Sequence, residues 1–328
     1  MSAKPCLVES YRPADAQVPI VESTVTELLR DAAAAVPDRV ALVEMAPAAA
    51  DRRSWTYAAL LTEAERLARA LLARFAPGER VAVWAPNCAE WVLLQQGLSM
   101  AGLVLVTVNP AYKAEELEYL LRQSRSAGIF FADEYRGVDM AEIVTSIRGR
   151  LPELREARSL TRLDAFAATG DPSAPLPLVT PDDPVQIQYT SGTTGFPKGA
   201  LLHHRGIVNA SAFVAARSGF EDGGVWVNPM PMFHIGGGGL TEIGTMTRRG
   251  TYVLLPFFDA GLVLEAIEAY RGTIVLAVPT MLIAMLDHPD AARRDMSSLQ
   301  TVMSGATAVP APLVRRAKEA YGCRFTIV

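Results

Sequence analysis

Tyr189-Thr-Ser-Gly-Thr-Thr-Gly-Phe-Pro-Lys-Gly199 is a hydroxyl- and glycine-rich stretch that ends in a lysine. It follows Val185-Gln-Ile-Gln-Tyr189, whose alternation of apolar and polar residues reads as a strand. Gly192, Gly195 and Gly199 let the backbone bend and approach a ligand closely. Thr190, Ser191, Thr193 and Thr194 supply four hydroxyls, each able to donate to a phosphate oxygen, and Lys198 adds a compact positive charge. A loop after a strand with many donors and no carboxylate is suited to holding a polyphosphate. It is not a P-loop, which needs Gly-Lys followed by Ser or Thr. Here Pro197 precedes the lysine and Gly199 follows it.

Outward from this loop, short apolar runs alternate with segments of helical periodicity. Upstream, 25–35 reads as a helix capped by Thr24 or Ser23, 40–43 as a buried strand and 46–53 as a loop. Helices over 57–75, 86–101 and 113–124 alternate with strands over 80–84, 103–108 and 129–132, and 151–184 reads as a connection. Downstream, 203–217 is helical, and the alternation continues through 240–246, 251–255, 261–270, 273–277 and 280–286. It closes with strands at 299–303 and 323–328 around a helix over 310–321, with Pro310 or Pro312 at its start. Apolar strands separated by helices imply α/β architecture, with parallel sheets covered on both faces.

The bulk properties agree. A chain of 328 residues can bury more than one structural unit, and 50% hydrophobic with 20% charged residues is a globular composition. The net charge of -4 gives no general attraction to nucleic acid. Cys6, Cys88 and Cys323 are far apart and form no C-x-x-C pair, and no basic-plus-apolar leader opens the chain, so a cytoplasmic location is expected. No apolar run approaches a transmembrane span, although peripheral membrane contact stays compatible with the sequence.

Two further clusters carry chemistry. Pro229-Met-Pro-Met-Phe-His234 runs into Ile235 and four glycines, Gly236 to Gly239. A histidine there can hydrogen-bond an anionic or carbonyl oxygen. The glycines are consistent either with an open tunnel or with close packing of a helix start. Met303-Ser-Gly-Ala-Thr-Ala308 is a small-residue turn after a strand. His203 and His204 read as a solvated cap, Met281 as packing and Cys88 as a buried small hydrophobe. Zinc-ligand spacing, a G-x-S-x-G elbow and a GxGxxG fingerprint are all missing, so no metal residue is assigned.

From about Val25 to Val328 the sequence resembles the adenylate-forming (AMP-binding) enzymes: acyl-CoA synthetases, luciferases and peptide-synthetase adenylation domains. The resemblance rests on Tyr189–Gly199, Pro229–His234 and Ser304–Thr307. It implies two packed αβα subdomains, the five-layered αβαβα large domain of that family. After an irregular lead-in over 1–19, the first subdomain would span 55–214, and the second 20–54 plus 215–328. It also implies that Thr190, Ser191, Gly192, Thr193, Thr194, Gly195 and Lys198 hold the ATP phosphates. His234 would stand at the reacting carboxylate, Phe233 beside the acyl group or the adenylate, and Ser304, Gly305, Ala306 and Thr307 along the adenine and acyl group. Lys198 and His234 are the two residues assigned to catalysis. The family often has proline where this chain has Thr307.

In that family a carboxylate attacks the α-phosphorus of ATP, giving acyl-AMP and pyrophosphate, and the thiol of CoA then displaces AMP. ATP, Mg²⁺ and CoA are thus the implied cofactors and co-substrates. Thr107–Tyr112 and Pro197–Arg205 resemble fatty-acyl-CoA synthetases, which makes a fatty acid the leading substrate. The alternatives are transfer of the acyl group to a carrier protein, or a non-catalytic nucleotide- or acyl-binding module. A homodimer is compatible with the sequence. The family's Thr-Glu turn, whose Glu helps hold Mg²⁺, would begin where this sequence ends at Val328. Most of the β-barrel and the C-terminal domain with its adenylation lysine would lie further on. The expectation is a truncated large domain with little or no ligase activity alone.

Overall fold

The computed structural model describes residues 19–190 and 197–328. In chain order the first half holds α1 (Val25–Ala35), β1 (Val40–Glu44), β2 (Arg53–Thr56), α2 (Tyr57–Leu72), β3 (Arg80–Trp84), α3 (Ala89–Met100), β4 (Val104–Val108), α4 (Ala114–Ser124) and β5 (Ser126–Phe131). A small hairpin, β6 (Glu134–Tyr135) and β7 (Val138–Asp139), leads to α5 (Met140–Arg148), β8 (Glu156–Ser159), α6 (Leu163–Ala167), β9 (Pro184–Thr190) and β10 (Lys198–His203). The remainder is α7 (His204–Arg217), β11 (Val225–Asn228), α8 (Glu242–Met246), β12 (Thr251–Leu254), α9 (Ala260–Ala269), β13 (Ile274–Leu276), α10 (Pro279–Asp287), β14 (Thr301–Ser304), α11 (Ala311–Tyr321) and β15 (Arg324–Ile327).

The strands form two main sheets. One is six-stranded in the order β10-β9-β4-β3-β5-β8, parallel except where β10 folds back antiparallel on β9. The other is seven-stranded in the order β15-β14-β13-β11-β12-β1-β2, parallel except for β2 on β1. Alternation along the strands divides the core into layers. Val81 and Val83 of β3 join a central core with α1, α2, α3 and α7, and Ala82 and Trp84 face an outer core with α4 and α5. In the second sheet Trp226 and Leu254 face the same central core, whereas Val227 and Val253 face α9, α10 and α11. Five layers follow, helix–sheet–helix–sheet–helix, as expected for the large domain of adenylate-forming enzymes.

Local chemistry fixes several boundaries. Thr24 caps α1 in a reciprocal capping box with Glu27: the Glu27 N–H donates to Thr24 Oγ1, and the Thr24 N–H donates to Glu27 Oε2. Pro310 is the N-cap of α11, and Gly322 ends it in the left-handed conformation. Two expectations need correction. Residues 151–184 are not only a connection, because β8 pairs with β5 and α6 follows it. Residues 46–53 are not wholly loop, because Arg53 opens β2. Both strands, like β10, whose Lys198 and Gly199 read in the sequence as the end of a loop, lie at sheet edges, where only part of each residue is buried and charges are tolerated. Among the described residues no helix is long and apolar enough to cross a membrane.

Candidate functional site

β9 and β10 form a hairpin whose ladder pairs Lys198 with Thr190 and Gly199 with Tyr189. Ser191, Gly192, Thr193, Thr194 and Gly195 lie outside the described residues. The residues flanking them are placed: Thr190 and Lys198 are exposed, and Thr190 Oγ1 donates to the Lys198 carbonyl at 3.4 Å. Gly199 answers to a close approach, since a Cβ there would fall 2.7 Å from Ile187 Cγ2.

The Pro229–His234 segment leaves β11 at the carboxyl end of the second sheet and is held by asparagines. Buried Asn87 donates through Nδ2 to the carbonyls of Met230 (3.0 Å) and Leu255 (2.9 Å), and its Oδ1 accepts the Met232 N–H at 2.7 Å. Asn228 adds a bond from Nδ2 to the same Met230 carbonyl at 2.9 Å. The chain then enters a π-helical turn, Ile235–Thr241, with His234 as its N-cap. The Gly236 N–H donates to His234 Nδ1 at 3.1 Å, so the proton of the neutral ring sits on Nε2. Protein around the imidazole disfavours the charged form and lowers its pKa, although the residue as a whole is exposed.

The glycine run is closely packed rather than an open tunnel. A Cβ on Gly237 would lie 2.2 Å from the Pro231 carbonyl oxygen, and one on Gly238 2.3 Å from that of Met232. The segment over 240–246 holds the end of the π-helical turn, and α8 begins at Glu242. Glu242 is buried beneath this turn. Gln95 Nε2 donates to Glu242 Oε2 at 2.9 Å and to the Gly238 carbonyl at 2.7 Å, and Gln96 Nε2 donates to Glu242 Oε1 at 2.7 Å. Burial pushes the Glu242 carboxyl up to about 8.

Ser304–Thr307 continues from β14. Ser304 is fully buried, and its Oγ has no hydrogen-bond partner among the described residues. Gly305 passes so close to the end of β15 that a Cβ would collide with the Val328 carbonyl oxygen, 1.9 Å away. Ala306 has φ 64°, a left-handed conformation uncommon for a residue with a side chain, and both Ala306 and Thr307 are exposed.

All three clusters stand at carboxyl ends of parallel strands, the usual place for ligands in open α/β sheets. The first two are joined directly: Gln188 Nε2 donates to the Phe233 carbonyl at 2.8 Å. A groove of about 710 Å³ opens at the same strand ends, lined by Asn87, Pro110, Tyr135, Arg136, Phe233 and Met281 among others. Met281 both packs on the core and lines this groove. Among the described residues no group of three or more His, Cys, Asp or Glu could hold a metal ion. The described residues thus offer no cluster of protein carboxylates for a magnesium ion.

His203 is the solvated cap expected, and His204 is not. His203 Nδ1 accepts the Gly206 N–H at 3.1 Å as the N-cap of α7. His204, however, is buried, with Nδ1 accepting the Val25 N–H at 3.1 Å, and burial lowers its pKa to about 4. Burial pushes the Cys88 thiol up, in keeping with a small interior side chain. Sequence reasoning missed Asn87, Gln188 and the Gln95–Gln96–Glu242 cluster. The signal for Gln188 was present as a polar residue in a strand that is covered on both faces.

The chain is 32% identical to the medium-chain acyl-CoA ligase ACSF2, mitochondrial, of Mus musculus, over 90% of this chain and 53% of that protein. It is 30% identical to the Danio rerio protein of the same name, over 99% of this chain and 58% of that one. It thus spans little more than half the length of these relatives. Among solved structures, the N-terminal domain of FACL13 from Mycobacterium tuberculosis superposes with a TM-score of 0.83 at 27% identity, covering 94% of this chain and 75% of that one. The anthranilate CoA ligase AuaEII in complex with anthranoyl-AMP gives 0.84 at 25% identity, covering 94% and 59%. The profile described as AMP-binding enzyme matches residues 29–328, and the chain belongs to that family.

Proposed function

We propose that this chain carries the phosphate- and carboxylate-binding parts of an ATP-dependent acyl-CoA synthetase acting on a medium-chain fatty acid. The observation that carries this reading is the Gln188–Phe233 hydrogen bond, which ties the lysine hairpin to the histidine turn across the two sheets. Lys198 and Thr190 hold ATP phosphate oxygens at the end of the hairpin, so that negative charge developing on phosphorus meets fixed positive charge and donors. Partial desolvation lowers the His234 pKa and Nδ1 accepts the Gly236 N–H, and both favour the neutral ring. Its Nε2–H orients the carboxylate as a neutral donor without withdrawing nucleophilicity as a full cation would. Phe233 flanks the organic group within the groove, whose size lies in the range of small-molecule sites. Ser304–Thr307 lies along the adenine. No protein nucleophile is required, because the carboxylate itself attacks phosphorus. The medium-chain substrate is taken from the names of the ACSF2 relatives.

The test is calorimetry of the 328-residue chain with a non-hydrolysable acyl-adenylate analogue. Binding should be saturable and weakened at least tenfold, about 1.4 kcal/mol, by Lys198→Ala and by His234→Ala; Lys198→Ala should melt close to wild type because its side chain is exposed, whereas His234→Ala also loses the Gly236 N–H cap and is compared at a temperature where it is folded. Equal affinity in wild type and both variants would sink the assignment.

A further inference from the structure

We infer that Gln188 is a positioning residue that makes the geometry of the Phe233–His234 turn depend on what is held at the Thr190–Lys198 end of the hairpin. This rests on the proposed phosphate role of that hairpin. The argument begins with an anomaly. β9 lies inside the six-stranded sheet, between β4 and β10, where long polar side chains lose their hydration. Yet Gln186 and Gln188 are 2% and 6% exposed. They make a directed chain: Gln186 Nε2 donates to Gln188 Oε1 at 2.8 Å, and Gln188 Nε2 donates to the Phe233 carbonyl at 2.8 Å. A carbonyl can only accept, so the Gln188 amide must present its nitrogen to Phe233. Gln186 then occupies the oxygen and fixes that orientation.

Both ends of the link are stiff. Gln188 is paired in the ladder with Ala200 of β10, and Thr190, two residues on and on the same face, is paired with Lys198. A shift of Thr190 or Lys198 on meeting an anion is therefore carried along a paired strand to Gln188. At the other end the accepted carbonyl immediately precedes His234, whose own carbonyl accepts from the Gly237 and Gly238 N–H groups at the head of the π-helical turn. One side-chain amide thus connects the anion end of the hairpin to the residue that faces the carboxylate.

The experiment uses inorganic tripolyphosphate, which occupies a phosphate site but carries no adenine or acyl group to touch the turn. Hydrogen exchange of the backbone over 229–239 is read by mass spectrometry with and without saturating tripolyphosphate. In wild type, exchange should slow by about fivefold or more, the lower end of ordinary coupling between sites. In Gln188→Met and in Gln188→Leu, both of which remove the amide donor, tripolyphosphate should still bind while the slowing disappears. A merely structural glutamine would speed exchange in the free variants and leave the ligand-induced slowing intact, and that result overturns the inference. Binding to wild type without any slowing also overturns it and leaves the phosphate site standing. Failure of wild type to bind tripolyphosphate removes the phosphate site and the inference with it.

Discussion

Replacing Glu242 with glutamine should abolish a specific fall in stability with rising pH. The carboxyl is 3% exposed, held by the amides of Gln95 and Gln96, with the phenols of Tyr57 and Tyr252 as its other titratable neighbours. Burial without a cationic partner raises it from 4.5 to about 8. The folded state therefore keeps its proton at pH 7, and the unfolded state does not. A group with a raised folded pKa contributes fully below the unfolded value, and the contribution is lost as pH rises through the folded value. Between about pH 5 and 8 the folded form binds close to one proton more, which is a loss of about 1.4 kcal/mol per pH unit. At pH 7 the accumulated cost is about 3 kcal/mol, a large share of a domain's ordinary margin.

Glutamine has the same shape and never ionises. Its amide can also donate to Gln95 Oε1 or Gln96 Oε1, both of which are buried without a partner among the described residues. The absolute offset between variant and wild type depends on how these amides re-pair, so the pH slope of the difference is the diagnostic quantity. Urea unfolding followed by tryptophan fluorescence from pH 5 to 8.5 gives it directly. The stability of Glu242→Gln minus that of wild type should grow by about 3 kcal/mol or more across this range, with unchanged m-values. A difference that is flat with pH would show that Glu242 ionises freely in the folded protein, refuting the reasoning from burial.

Two other outcomes follow from the same geometry. His204, buried with its pKa lowered to about 4, stays neutral while the unfolded chain takes up a proton below 6.5. Its contribution is therefore present above pH 6.5 and lost toward pH 4, at about 1.4 kcal/mol per unit, and acid titration of His204→Gln in urea should lack this limb. Gly237→Ala should cost about 2 kcal/mol or more in the same unfolding assay, because its Cβ would sit 2.2 Å from a backbone oxygen that cannot step aside. Wild-type stability in that variant would mean that the turn opens easily.

The elements legible in the sequence are those whose local chemistry and burial agree. α1 carries its own capping box, and β3 and β4 are short apolar runs because helices cover both their faces. β2 and β8 were hidden because an edge strand buries only part of each residue, so Arg53-Ser-Trp-Thr and Glu156-Ala-Arg-Ser look like loop. The turn after His234 was ambiguous for a different reason. Consecutive glycines permit both open space and close approach, and only the positions of the Pro231 and Met232 carbonyls decide between them. The histidine could be named from its neighbours in sequence, but the groups that hold it come from elsewhere in the chain.

Those groups share a pattern that bears on function. Asn87 follows β3, Gln95 and Gln96 lie within α3, and Gln188 lies in β9, all at buried positions where an apolar side chain would cost less. Each of them donates to the segment from Met230 to Glu242: Asn87 to Met230, Gln188 to Phe233, Gln95 to Gly238 and Glu242, and Gln96 to Glu242. A segment needed only for stability would be held more cheaply by packing, since a well-packed apolar replacement is often neutral or better. Directed hydrogen bonds add a fixed orientation of backbone carbonyls, and hence of the imidazole that begins the turn. The convergence of long buried polar side chains on one irregular segment, from both the first sheet and the central helix layer, is therefore a physical argument that supports the role proposed for Phe233–His234.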